Sequence, residues 1–331
     1  MSRVLLCVGD PNGIGPEIAV AAASALAGDP TLAPVLVSDR HVIEPWAERH
    51  GLRVREIDQP REAGAGVLDL LPVTALPAGA SRPGQVTAAA GAATVEYVRA
   101  AVAAVDAGIG RAIVACPHSQ AAVHAAGIPF RGYPGLLAEL AGLPGDRVFL
   151  MLVGGGLRVT HVTLHESLAA ALGRLTPELI VSAGLATVGF LCGYGVGAPR
   201  IGVCGINPHA GERGLFGDED ELITRVAVAE LRAAGVDAHG PLGADLVLAP
   251  GSRDRFHAHL AMYHDQGHVP VKVLAGRAAS AVSLGAGLVF SSVGHGAAFD
   301  IAGRGGADPG AVLHAVRLVG GYAATSPAVP S

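Results

Sequence analysis

Residues 4–27 read VLLCVGDPNGIGPEIAVAAASALA: an apolar run, a turn rich in Gly and Pro, then an Ala-rich stretch that Pro16 opens. The run Val4 to Val8 reads as a strand. Pro16 to Ala27 reads as a helix, with Pro16 in the first turn, where a missing N–H costs nothing, and Glu17 near the positive end of the helix dipole. A strand passing through a glycine turn into a helix is the repeating unit of an α/β fold. Further strands are expected at 35–37, 112–115, 148–153, 158–164, 201–206, 246–249, 260–263 and 271–274, and further helices at 88–105, 176–192 and 219–234. Gly154-Gly155-Gly156 joins two of the strands and predicts a local antiparallel hairpin. The alternation elsewhere predicts a mainly parallel sheet. Residues 59–82 read as an irregular excursion and residues 323–331 as a frayed end.

Composition bounds the possibilities. The chain has 331 residues, 50% hydrophobic and 15% charged, enough for a large core in two domains or one large α/β unit. Aromatic residues are 4% and Gly numbers 47, so that core is built from small aliphatic side chains. The net charge of -5 comes without a basic stripe, which argues against nucleic acid as a partner. Mean hydropathy is high, +0.45, yet no long apolar stretch is free of Gly, Pro and charge, and no membrane span is expected. The apolar run at the N-terminus is too short for a signal peptide. Cys7, Cys116, Cys192 and Cys204 form no C-x-x-C pair, which fits a reduced, cytoplasmic protein.

Four groups of residues could carry chemistry. In Gly9–Glu17, Gly13 and Gly15 allow a ligand close to the backbone, and the following helix offers N–H groups to an anion. With Asp39 after the next strand, the loop is similar to a dinucleotide fingerprint. Ile18 stands where the third glycine belongs, however, and a tight strand-to-helix turn explains the same residues. Second, His165, His209 and His264 each follow a strand. Ligands of parallel sheets collect beyond such carboxyl ends, and three imidazoles suit Zn²⁺, Mn²⁺ or Co²⁺. Their spacing is no short-range metal signature, and each taken alone is also explained as a structural histidine. His161 reads as structural, and Gly267 speaks against a helical pairing of His264 with His268. Third, Asp265 adjoins His264, and Lys272, the only lysine in the chain, follows shortly. A carboxylate beside a ligating imidazole orients it, and a lysine near a cation can exchange protons with a hydroxyl. Fourth, Asp245 closes Gly240-Pro241-Leu242-Gly243-Ala244-Asp245, either a ligand loop or a capped turn.

Taken together, GDPNGIGPEI, INPHAGE, GPLGAD, MYHDQGHVPVK and SSVGHGAAFDIAGRG stand in the order and spacing of the 4-hydroxythreonine-4-phosphate dehydrogenase family. The resemblance runs nearly end to end. It implies two α/β/α domains of the isocitrate and isopropylmalate dehydrogenase type, 1–128 with 280–331 and 129–279, the second carrying most metal and dimer contacts. It implies a homodimer with the active site at the interface. It also implies a divalent metal (Zn²⁺ first, with Mn²⁺, Co²⁺ or Fe²⁺ as alternatives) on His165, His209 and His264, one of them given by the partner. Lys272, Asp245 and Asp265 take the catalytic positions. NAD⁺ or NADP⁺ is expected at Gly13, Gly15, Asn207, Gly243, His295 and Asp300. Lys272, Tyr133, His118 and Arg213 are the candidate substrate contacts, with Arg277 a further candidate for a second carboxylate.

The departures concern the phosphate. The family's Gly-His-Thr-Glu is here Gly132-Tyr133-Pro134-Gly135, its lysine is Gln120, its Asn and Arg fall on Ala281 and Phe290, and its Asp on Gly294. Those losses remove most charge-assisted donors for a phosphate dianion. The sequence GYPGLLA, VTLHESL, HDQGHVPVK and SSVGHG resembles the branch that oxidises the cis-dihydrodiol of terephthalate. The resemblance therefore implies oxidative decarboxylation of a non-phosphorylated dihydrodiol dicarboxylate. A phosphorylated hydroxy acid dehydrogenase and a non-catalytic ligand-binding homologue are the competing readings.

Overall fold

The computed structural model describes residues 1–61, 64, 66–276 and 279–321. Arg277, residues 323–331 and part of the 59–82 excursion lie outside the described residues. The chain divides into two compact units, Met1–Leu136 with Leu288–Gly321, and Leu137–Gly287.

In the first unit the opening strand and helix are β1 (Ser2–Cys7) and α1 (Gly15–Ala25). They are followed by β2 (Leu32–Ser38), α2 (Arg40–Arg49), β3 (Arg53–Glu56), β4 (Val67–Pro72), α3 (Ala88–Asp106), β5 (Ala112–Ala115) and α4 (Gln120–Ala125). Helix α5 (Tyr133–Leu140) crosses the division, and the second unit begins with β6 (Phe149–Gly154) and β7 (Leu157–His161). It continues through α6 (Leu168–Arg174), α7 (Pro177–Gly193), β8 (Arg200–Cys204), α8 (Arg225–Ala233), β9 (Asp237–Leu242), α9 (Ala244–Val247), β10 (Ala258–Ala261), α10 (His264–Ala275) and β11 (Ser280–Leu284). The chain then returns to the first unit as β12 (Val289–Val293) and α11 (Gly310–Gly320).

The first unit's strands run in the order β3-β4-β2-β1-β5-β12, all parallel. Their inward residues are almost all Val, Leu, Ile and Ala, as a sheet covered on both faces requires. Helix α3 is long and apolar enough to cross a bilayer by length and composition. It packs on β1, β2, β5 and α4, the position of a core helix.

The second unit orders its strands β11-β6-β7-β10-β8-β9. The glycine turn makes β6 and β7 an antiparallel hairpin with Gly154 opposite Leu157. Gly155 and Gly156 both take positive φ, 59° and 80°, which a two-residue hairpin turn demands. Strand β11 is also antiparallel to β6, whereas β7, β10, β8 and β9 are mutually parallel.

Two strand expectations are corrected. Residues 246–249 belong to the short helix α9 and its C-terminal turn, and residues 271–274 belong to α10. In both cases tertiary packing outweighs local β-propensity. Val271 is buried while Val273 is exposed, and the sheet-facing residues of α10 recur as Gly267 and Val271, a helical spacing that the Val-Pro-Val-Lys run conceals. Strands β3, β4, β9, β11 and β12 were not anticipated; most are short and carry charge, Gly or Ser.

Helix α7 begins where its sequence cap lies: the Thr176 hydroxyl accepts from the Leu179 N–H at 3.2 Å. Thr176→Ala is expected to lower stability by about 1 kcal/mol, and Thr176→Ser to retain most of it, in urea unfolding. Equal stability of all three proteins would show that the cap contributes nothing.

Candidate active site

The second unit gathers its candidate residues by topology. Strands β7, β10, β8 and β9 are parallel neighbours, so their carboxyl ends share one edge. His165 follows β7, His264 and Asp265 follow β10, His209 follows β8, and Asp245 follows β9. Adjacent strands lie about 4.8 Å apart, which brings residues distant in sequence to one rim.

At that rim the rings of His165 and His264 stand 5.5 Å apart between centroids. His264 opens α10, and its Nδ1 lies 2.7 Å from Asp265 Oδ1. The carboxylate accepts the Nδ1 proton, leaving Nε2 as the free lone pair. A cavity of about 550 Å³ is lined by His165, Glu166, Tyr263, His264 and Asp265. A neighbouring one of about 460 Å³ is lined by Asp245, Tyr263, Asp265 and Gln266. Asp265 and Tyr263 thus border both, and Asp245 faces the second.

Two more histidines join this group. His161, fully buried at the end of β7, has Nδ1 3.1 Å from the Leu150 carbonyl and Nε2 2.9 Å from His268 Nδ1. The His268 ring stacks on that of His264 at 3.7 Å and 14°. The expectation that Gly267 speaks against a helical His264–His268 pair is therefore corrected. Gly267 lets α10 lie close against β7, because a Cβ there would strike His161 Nε2 and lie 2.8 Å from Val159 Cγ1. The spacing His-x-x-x-His was the available signal. Burial pushes His161 down to about 3, with His268 adding to the shift, and pushes His268 down to about 4. Lys272 lies one turn beyond His268 on α10, and partial burial lowers its pKa.

His209 is presented differently. Residues His209, Ala210, Gly211, Glu212 and Arg213 all have positive φ, between 44° and 76°. Each non-glycine residue held in that region costs roughly 1–2 kcal/mol, so the surroundings must impose the turn. Buried Asp220 does so, its two carboxylate oxygens accepting from the Ile206 and Asn207 N–H groups at 2.8 and 2.9 Å. Asn207 Nδ2 donates to Glu219 at 2.7 Å. His209 itself is exposed and its ring neighbours Phe216 at 6.1 Å. Arg213 is exposed on the same turn, and Gly243 caps α9. Among the described residues no three His, Cys, Asp or Glu side chains of one chain are arranged to hold a metal. The rim brings two imidazoles, His165 and His264, side by side.

The first unit holds the remaining candidates. The space that a Cβ would need at Gly13 is filled by Ala297, and at Gly15 by the Val8 carbonyl. Both glycines are thus closely packed within the unit. Asp10, in the same loop, is buried, and burial raises its pKa to about 6. His295 Nδ1 approaches the Gly296 carbonyl at 3.2 Å, and Asp300 is exposed. Tyr133 and Phe290 are both buried, with ring centroids 5.0 Å apart. His118 packs edge-on to Tyr133 at 4.7 Å and to Phe130 at 5.0 Å. The Tyr133 hydroxyl reaches the Cys116 carbonyl at 3.4 Å.

Known proteins resemble this chain over nearly its full length. Residues 30–319 match the family described as Pyridoxal phosphate biosynthetic protein PdxA. A 1,2-dihydroxy-3,5-cyclohexadiene-1,4-dicarboxylate dehydrogenase of a Comamonas species is 46% identical over 96% of this chain and 97% of its own. A D-threonate 4-phosphate dehydrogenase of Cupriavidus necator is 42% identical over 94% of each. The crystal structure of a terephthalate 1,2-cis-dihydrodiol dehydrogenase from Burkholderia xenovorans aligns with a TM-score of 0.75 at 47% identity, covering 97% of this chain and 98% of that one.

Two outcomes are expected. Asp220→Ala strands two backbone donors and should cost about 1–3 kcal/mol and loosen the turn, seen as faster amide exchange at residues 206–213. Unchanged exchange there would remove Asp220 from that role. The second concerns acid. Buried His161 and His259 and half-buried His268 have folded pKa values of about 3, 4 and 4, below the ordinary value of about 6.5. The unfolded chain therefore takes up protons that the folded chain refuses, and stability is lost as pH falls below about 6.5. Asp10, shifted up to about 6, acts oppositely and offsets one of the three. Urea unfolding of metal-free protein should show a net loss between pH 7 and pH 5; a gain would contradict the depressed pKa values of these histidines.

Proposed function

The chain belongs to the PdxA family, whose characterised relatives are dehydrogenases, and on that premise we propose a metal-dependent, NAD(P)-linked oxidative decarboxylation of a cis-dihydrodiol dicarboxylate of the terephthalate type. The products are protocatechuate and CO₂. The observation that carries the choice of substrate is the buried Tyr133–Phe290 contact. At those positions the family motif has a histidine and an arginine for phosphate, and two packed aromatic rings offer no cationic donor to a dianion.

The donor set suits a divalent cation in part. His165 and His264 are neighbouring imidazoles at one cavity, and Asp265 leaves His264 Nε2 free, the arrangement usual for a ligating histidine. His209 is the third proposed ligand; within a homodimer one of the three comes from the partner subunit. When bound, the cation acidifies the substrate hydroxyl and stabilises negative charge on oxygen, while the nicotinamide accepts the hydride.

The chain's own groups manage protons and position. Oxidation of the C2 alcohol removes one proton and one hydride and leaves a ketone β to the C1 carboxylate. The C1–CO₂ bond then breaks, its electrons forming the C1–C2 double bond of an enolate, which one proton converts to the catechol. Lys272 both accepts the hydroxyl proton and returns a proton to the enolate oxygen. Its partial burial lowers its pKa toward the range where both transfers proceed. Asp245 and Asp265 border the cavities at the rim and hold water or substrate hydroxyls by accepting hydrogen bonds. Tyr133, His118 and Arg213 are the proposed substrate contacts, and Gly13, Gly15, Asn207, Gly243, His295 and Asp300 the proposed nicotinamide contacts.

Side-by-side assays of NAD(P)H formation test the reading, with the dihydrodiol dicarboxylate and a 4-phosphorylated hydroxy acid as substrates and Zn²⁺, Mn²⁺ or Co²⁺ added. Turnover of the dihydrodiol with CO₂ release is expected; preference for the phosphorylated acid would overturn it. Lys272→Ala should lower kcat about 10²–10⁴-fold and leave nicotinamide affinity unchanged. The reverse pattern would take proton transfer away from Lys272.

A further inference from the structure

We propose that His161 and His268 are positioning residues that set the ring of His264, through a pair of imidazoles locked in one tautomer. The inference rests on the reading of His264 as a metal ligand. Its own basis is the direction of three hydrogen bonds and one stack.

The Leu150 carbonyl can only accept, so the Nδ1 of His161 at 3.1 Å carries a proton. His161 is fully buried, its ring nitrogens face the Leu150 carbonyl and His268, and a second proton would leave a buried, uncompensated cation. Its Nε2 is therefore bare and accepts from His268 Nδ1 at 2.9 Å. His268 in turn is protonated at Nδ1 and bare at Nε2. The sequence of bonds ends at a backbone carbonyl, so it holds the rings in place and does not relay protons.

The anchor is rigid. His161 is the last residue of β7 and lies opposite Leu150 in the β6–β7 hairpin, so the carbonyl and the ring belong to paired strands. Gly267 brings α10 close enough for His268 to reach it. The His268 ring then lies nearly parallel to that of His264, 3.7 Å away, while Asp265 holds the Nδ1 of His264 at 2.7 Å. The stack fixes the plane of the ring, and the carboxylate fixes its rotation. Together they determine where the Nε2 lone pair points.

The test uses the full-length chain labelled with ¹⁵N-histidine, and long-range ¹H–¹⁵N spectra that report which ring nitrogen carries the proton. In metal-free protein at neutral pH, His161, His264 and His268 should all be protonated at Nδ1. His268→Ala should convert His264 to a mixture of tautomers. His268→Phe, which keeps a flat ring but cannot donate, should restore the single His264 form while releasing His161. Protonation of His161 at Nε2, or an unchanged His264 signal in His268→Ala, would overturn the proposal. Zn²⁺ titration of the same samples is the separate arm. His264 Nε2 should shift in the wild type, and His268→Ala should bind about 10–100-fold more weakly. A wild-type His264 that ignores Zn²⁺ while the metal-free signals behave as stated refutes the metal reading and leaves the tautomer lock standing.

Discussion

Four parallel strands, ordered β7-β10-β8-β9, end at a common edge, and everything functional proposed for the second unit depends on that alignment. Were β10 inverted, His264, Asp265, His268 and Lys272 would leave the rim that carries His165. The alignment is maintained by an apolar core, with Leu152, Val159, Cys204, Ala261 and Val271 packed beneath the edge. His165, His264, Asp265, His209 and Asp245 all lie beyond the strand ends. Helix α10 joins the core to the rim: Val271 faces the core, while His264, His268 and Lys272 lie along the same helix.

The rim is also where local rules are broken. A run of left-handed residues presents His209, and a proline sits inside α10 between His268 and Lys272. Such departures persist where neighbours over-determine the backbone, and Asp220 is the neighbour that does so for the His209 turn. The first unit has its own solution. Its glycine loop is closely packed, and Tyr133 packs against Phe290 and His118.

Much of this was legible in the sequence. The strand–turn–helix opening, the helix over 176–192 and the triple-glycine hairpin carry their own local signals, and each appears where the sequence places it. The histidines at strand ends were legible because a parallel sheet sends ligand residues to carboxyl ends. Helix α10 was not, since Val-Pro-Val-Lys has the local character of a strand and its packing against β6, β7 and β10 outweighs that. The roles of His161 and His268 were hidden for a related reason. They meet across 107 positions of sequence, and the glycine that seemed to separate His268 from His264 is the residue that lets the helix approach.

The central claim is that imidazoles at this edge share one cation. Anomalous diffraction at the zinc edge, on crystals of the full chain grown with Zn²⁺, measures it directly. The account predicts a peak about 2.1 Å from the Nε2 atoms of His165 and His264, with a third imidazole completing the set. Density for both rings with no anomalous peak between them at saturating Zn²⁺, or a peak elsewhere in the molecule, would contradict it.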